Sequence, residues 1–137
     1  MVGVEPAEPL HAIDGLKFLR RGDQQPPETY VEDELDEKRY IDTGAAYDRA
    51  RALRERYLDR AIPVRDTGQH DATVVEEHLR VGNQFLVGTS SGAAVAAVHQ
   101  LDEAGELSAD DVVVLLFAAW GDKYADIPLW EDYLTAG

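Results

Sequence analysis

The chain is 137 residues long and carries 13 Lys plus Arg against 27 Asp plus Glu, a net charge of −14. That length allows one domain. The charge argues against nucleic-acid phosphates and anionic membrane surfaces as partners, because both are held by clustered cations.

Cysteine is absent, which removes disulfides, thiolate catalysis and cysteine-ligated metals. No window reaches the ~18 apolar residues of a membrane span, and the first residues lack a signal-peptide pattern. A soluble, cytoplasmic protein is expected. The hydrophobic fraction of 45% places the chain among folded proteins. Its only lysines are Lys17, Lys38 and Lys123; the other cations are arginines. An acidic, lysine-poor surface suits high salt, which screens self-repulsion. A halophilic source is the expectation, with an ordinary acidic domain as the alternative.

Val2-Gly3-Val4, stopped by Glu5-Pro6, reads as a strand entering a loop. A buried strand at the first residues leads to the expectation that further chain belongs upstream. Residues 11–37 hold Gly15, Gly22, Pro26 and Pro27, then the acidic run Glu32, Asp33, Glu34, Asp36 and Glu37. They read as a long irregular connection with a solvated acidic face. Thr43 reads as the N-cap of a helix over 44–58, with Ala46, Tyr47, Ala50, Leu53 and Tyr57 at helical spacing. Its arginines, Arg49, Arg51, Arg54 and Arg56, are candidates to pair with the acidic loop. Residues 61–69 read as a loop. Asp71 would cap a short helix through His78 and Leu79, and Gly82-Asn83 a turn.

Phe85-Leu86-Val87 reads as a short strand, and Gly88-Thr89-Ser90-Ser91-Gly92 as a small-residue turn. Residues 93–104 are alanine-rich and read as a buried helix ended by Gly105. Val112 to Phe117 is a continuous apolar run that fits a strand covered on both faces. Together these make one parallel, right-handed βαβ unit. Residues 121–137 read as a tail with a last helix over 129–134. The fold class expected is α/β, a partial three-layer parallel sheet with flanking helices.

The Gly88–Gly92 turn carries the chemistry. Small residues at the carboxyl end of a parallel strand let a ligand approach the backbone, and the following helix offers N–H groups and a positive dipole end. A hydroxyl there can donate to a heterocyclic nitrogen. Alternatively, Ser90 or Ser91 simply caps the helix. Gly88, Ser90 and Gly92 also match GxSxG formally. A hydrolase then needs an acid and a histidine downstream, and no histidine follows His99, so this reading is the weaker. His11, His70, His78 and His99 form no HExxH pattern, and no metal site is expected.

The run F-L-V-G-T-S-S-G-A-A-V-A-A-V, Phe85 to Val98, resembles the C-terminal signature of the cysteine synthase and cystathionine β-synthase family, pyridoxal-phosphate enzymes of the tryptophan synthase β fold (fold type II). Weaker matches follow in order. Val2 to Pro6 is similar to a V-x-V-E-P strand end, and His11 to Phe18 to a loop carrying a glycine beside the active site. Asp33 to Leu53 is similar to the helix before the serine turn, and Val112 to Tyr124 to a strand leading to G-D-K-Y. The resemblance implies that residues 1–137 are the C-terminal portion of such an enzyme, with an insertion at about 59–83.

It further implies a cofactor, pyridoxal 5'-phosphate, bound by Ser90, Thr89 and Gly88, with its pyridine nitrogen facing Ser90. Thr89 and Ser91 would also shape and cap the turn, and Gly15 would line the substrate side. A neutral hydroxyl partner does not force pyridinium protonation and favours β-elimination and replacement. The implied chemistry is that of a lyase or transferase in cysteine biosynthesis, acting on an activated serine and a sulfur nucleophile. Implied partners are a second copy of the complete enzyme or a separate N-terminal half. The family's Schiff-base lysine and phosphate loop lie upstream of the matching region, and none of the three lysines stands in that context. The isolated chain is therefore expected to be inactive, as a fragment, a half-enzyme or a non-catalytic partner module. The family's Pro-Asp after the last strand is replaced by Ala118-Ala119, followed by Trp120.

Overall fold

The computed structural model describes residues 1–20, 25–57, 87–119 and 127–130. Strand β1 (Val2–Pro6) pairs in parallel with β2 (Glu37–Ile41), Val2 opposite Glu37 and Pro6 opposite Ile41. Helix α1 (Thr43–Arg56) follows β2 directly, and helix α2 (Thr89–Glu103) packs against α1 and both strands. The chain is thus α/β with a two-stranded parallel sheet among the described residues. His70, His78, Lys123, Trp120, the proposed insertion and the helix expected after Asp71 lie outside them, as does Phe85-Leu86.

β1 lies where the sequence places it, though it is only partly buried, with Val2 37% exposed. The sequence reading places no strand at β2, of which only Glu37 belongs to the acidic connection. Charges in that strand are matched rather than solvated. Lys38 Nζ lies 3.0 Å from the buried carboxylate of Glu5 and 2.5 Å from Glu32, and Arg39 reaches Glu37 at 2.8 Å and Glu106 at 2.6 Å. A 3-10 turn, Glu32–Glu34, brings Glu32 to Lys38.

α1 begins one residue earlier than its spacing predicts. The cap is Asp42, not Thr43: its Oδ1 accepts from Ala45 N at 2.8 Å. A carboxylate at the positive end of the helix adds charge to the capping bond. Arg51 does not turn to the acidic loop; it donates to the carbonyls of Leu129 and Pro128, both at 3.2 Å.

α2 begins at Thr89, so the expected small-residue turn is the helix's own first turn. Neither Ser90 nor Ser91 caps it. Gly88 is the N-cap, with no side-chain bond, and its carbonyl accepts from Ser91 N at 3.1 Å and Gly92 N at 3.3 Å. Thr89, Ala93, Ala97 and Leu101 recur every four residues along the buried stripe. Gly92 sits where a Cβ would fall 2.0 Å from the Ala46 carbonyl oxygen, which sets how closely α1 and α2 cross. At the far end Glu106 N donates to Leu101 O and Gly105 N to Asp102 O, both at 2.9 Å. Gly105 takes the left-handed conformation that this Schellman closure requires, φ +71°.

Two apolar clusters form. One joins Ile13, Ile41, Ala46, Ala93, Ala96 and Ala97; the other joins Ala50, Val87, Leu129 and Trp130. Trp130 Nε1 donates to Val87 O at 3.2 Å. Leu129 and Trp130 lie in a turn; the rest of the expected last helix is outside the described residues.

The strand expected over 112–117 does not form, and with it the expected βαβ unit is incomplete. Val87 makes a single bridge and Gly88 N donates to Ala119 O at 3.0 Å, but residues 111–119 carry no regular structure. Val112, Val114 and Leu116 are 90%, 88% and 84% exposed, against 44%, 38% and 40% for Val113, Leu115 and Phe117. The alternation is that of a strand. A strand covered on both faces needs a layer packed on each face and strands paired along its edges, and no β-strand pairs with it among the described residues.

Candidate functional site

Residues 11–16 cross beside the starts of both helices. Asp14 N donates to Thr89 Oγ1 at 2.9 Å, Ala12 N to Thr43 Oγ1 at 3.0 Å, and Ile13 N to His11 Nδ1 at 3.3 Å. Ile13 is wholly buried in the first cluster, while Asp14 and Gly15 are exposed. Gly15 has φ +86° with nothing near its missing Cβ. It is required for backbone conformation and not for space.

The loop lines an open groove of about 530 Å³ together with Tyr47, Ile127 and Pro128. Gly15 therefore lines a groove. Thr89 joins it through Asp14, so the loop and the serine turn, far apart in sequence, meet. Ser90 is half-buried and does not line the groove. The sequence reading gives Tyr47 only as one of the residues at helical spacing in α1, and nothing in the sequence marks Ile127 or Pro128 as groove residues.

At the mouth of α2 the N–H groups of Thr89 and Ser90 precede the first intrahelical bond. Ser91 is fully buried and its Oγ has no hydrogen-bond partner. Hydroxyls and N–H groups beside a helix dipole suit a small polar acceptor such as a ring nitrogen. Nothing among the described residues of this turn matches the cluster of cations and N–H groups that a phosphate dianion needs.

The described lysines are engaged elsewhere. Lys17 Nζ donates to Gln25 O at 3.4 Å. Lys38 is held well above the usual lysine range by its hydrogen bonds to Glu32, Tyr30 and Glu5. An amine held protonated in this way is a poor nucleophile. His99 is exposed, nine residues along α2 from Ser90, or about 14 Å at 1.5 Å per residue. Ser90 has helical backbone, in the first turn of α2. Among the described residues no group of three or more His, Asp or Glu gathers as a metal site, and no helix is long and apolar enough to cross a membrane.

No family model matches the chain. The chain is similar to the cysteine synthase of Aquifex aeolicus (strain VF5), 29% identical over 133 residues. The match takes in 96% of this chain and 32% of that protein, so the chain spans about a third of the relative's length. This distant likeness is consistent with a C-terminal piece of such an enzyme.

Proposed function

We propose that the chain is the portion of a pyridoxal-phosphate-dependent β-replacement enzyme that carries the turn facing the cofactor's pyridine nitrogen and the loop on the substrate side. The observation that carries this reading is the bond from Asp14 N to Thr89 Oγ1 at 2.9 Å, which joins the loop of Gly15 to the turn of Ser90. The partial match to a cysteine synthase supports it. So does the exposed apolar run 112–117, a strand-like segment without its sheet.

When bound, pyridoxal phosphate supplies an electron sink for cleavage beside the amino-acid carbon it holds. Ser90 would hold the ring nitrogen: its hydroxyl would donate one hydrogen bond there without forcing the nitrogen to be protonated. Gly88 and Ser91 shape the turn, and Gly15 leaves the substrate side of the loop open. The amino acid is an activated serine and the incoming nucleophile a sulfur compound. The nucleophilic lysine and the phosphate cradle belong to the remainder of the enzyme, supplied by the same polypeptide in a homodimer or by a separate N-terminal half. Alone, the chain is inactive.

Pyridoxine 5'-phosphate, which has the ring and phosphate but no aldehyde, tests the ring contact by amide NMR. Amides of Gly88 to Ser91 are expected to shift, with Ser90→Ala weakening the interaction about fivefold, the worth of one net hydrogen bond. Shifts confined to other residues, or an unaffected Ser90→Ala, overturn the reading. Equimolar pyridoxal phosphate followed by borohydride is expected to leave Lys17, Lys38 and Lys123 unlabelled. Stoichiometric labelling of one of them contradicts inactivity of the chain alone.

A further inference from the structure

We infer that Thr89 and Thr43 are positioning residues: their hydroxyls form a two-point strap that holds the 11–16 loop to the starts of both helices and ties the groove's shape to the serine turn. The inference rests on the functional reading only in naming what the groove serves. The strap itself stands on geometry.

Both threonines occupy the first residue of a helix, a position from which a side chain can look outward. Neither is used as a cap, since Asp42 and Gly88 are the N-caps. Each hydroxyl oxygen instead accepts from a loop amide two residues from the other, Ala12 N at 3.0 Å and Asp14 N at 2.9 Å. Between these anchors Ile13 is 0% exposed and packs with Ile41, Ala46, Ala93, Ala96 and Ala97. Those partners come from the end of β2 and from α1 and α2. The loop is thereby pinned by one side chain and two backbone N–H groups, while Ala12, Asp14 and Gly15 face outward.

A loop without regular structure has no ladder to fix its backbone. The two hydroxyls take that role. Thr89 has a further consequence because it adjoins Ser90. A displacement of the first turn of α2 is carried to Asp14 and then to Gly15, at the wall of the groove. Thr89 therefore acts on the groove through the loop, whereas in the proposed reading Ser90 would act at the ring.

Backbone hydrogen exchange on the full chain, with Thr89→Val, Thr89→Ser, Thr43→Val and Thr43→Ser, tests the strap. Thr89→Val is expected to speed exchange of the Asp14 amide by about tenfold and leave the Ala12 amide near its original rate, as local opening without global unfolding does. Thr43→Val is expected to do the reverse, and each serine variant, which keeps the oxygen, to restore the slow rate. Uniform acceleration across α1 and α2 in both valine variants, or no rescue by serine, overturns the strap.

The link to the turn is read with pyridoxine 5'-phosphate. In the unaltered chain, amides 12–15 are expected to shift along with Ser90. In Thr89→Val the Ser90 shift is expected to remain and the loop shifts to vanish. Loop shifts that persist in Thr89→Val overturn the coupling. Absence of any shift at Ser90 in the unaltered chain overturns the functional reading and leaves the exchange result to decide the strap.

Discussion

Where α1 crosses α2, a Cβ on Gly92 would fall 2.0 Å from the Ala46 carbonyl oxygen and 3.0 Å from the Ala50 Cβ. Past the end of α2, Val112, Val114 and Leu116 stand almost fully in solvent. The first region is built from small, weakly apolar side chains and packs closely. The second is built from large, β-branched and strongly apolar ones and packs against little. Hydrophobicity alone therefore does not decide burial. The helices meet because glycine and alanine let two backbones approach, and each helix satisfies its own hydrogen bonds. A strand can bury its polar backbone only when neighbouring strands pair with it, and otherwise it stays in water. In the proposed reading those neighbours belong to the rest of a larger sheet.

Four substitutions or titrations would break or sharpen this contrast. Trp130→Ala has the largest expected effect. Trp130 is 0% exposed and fills the second cluster beside Ala50 and Val87. Removing it is expected to lower unfolding free energy by about 3–5 kcal/mol, read by urea denaturation. Gly92→Ala follows. The atoms its methyl meets are backbone of Ala46, so the helices must separate, and about 1–3 kcal/mol of overpacking is expected. A loss under about 0.5 kcal/mol would mean that the crossing has slack.

Val114→Ser is expected to move stability by no more than about 0.5 kcal/mol, because the side chain is already 88% exposed. It should also reduce binding of a fluorescent hydrophobic probe. A loss beyond about 1 kcal/mol would show this residue to be covered. The smallest effect concerns Asp111, at the start of the exposed run. The Ser108 backbone N–H, at 2.7 Å, and then the Ser108 hydroxyl, at 3.0 Å, hold its carboxyl below the usual carboxylate range. The folded state is favoured by this group above the ordinary value of about 3.9, and that contribution is lost as pH falls through the lowered one. Carboxyl NMR titration should find the lowered midpoint, and Ser108→Ala should raise it part of the way back.

β1, α1 and α2 were legible because each has a local signature: an apolar run stopped by proline, or apolar and small residues at helical spacing. β2 was hidden because Glu37 closes an acidic run read as solvated, and Lys38 and Arg39 beside it break any apolar pattern. Their partners, Glu5 and Glu106, are distant in sequence, and only folding brings them near. The cap of α1 was off by one because Asp42 and Thr43 are both good capping residues and adjacent. Residues 112–117 have strand composition, but composition cannot supply pairing partners. The serine turn was legible from its small residues and its resemblance to a known signature. That Thr89 meets Asp14, 75 residues away, was not, since a hydroxyl's long-range acceptor role leaves no periodicity.

The central proposal is that Ser90 would hold the cofactor's pyridine nitrogen in its neutral, hydrogen-bonded form. Pyridoxine 5'-phosphate labelled with nitrogen-15 in the ring tests it directly, bound near neutral pH to the unaltered chain, to Ser90→Ala and to Ser90→Asp. The account predicts a neutral, hydrogen-bonded ring nitrogen with the unaltered chain, loss of the hydrogen-bond shift in Ser90→Ala, and a protonated nitrogen in Ser90→Asp. A ring nitrogen whose signal is the same in all three would contradict it.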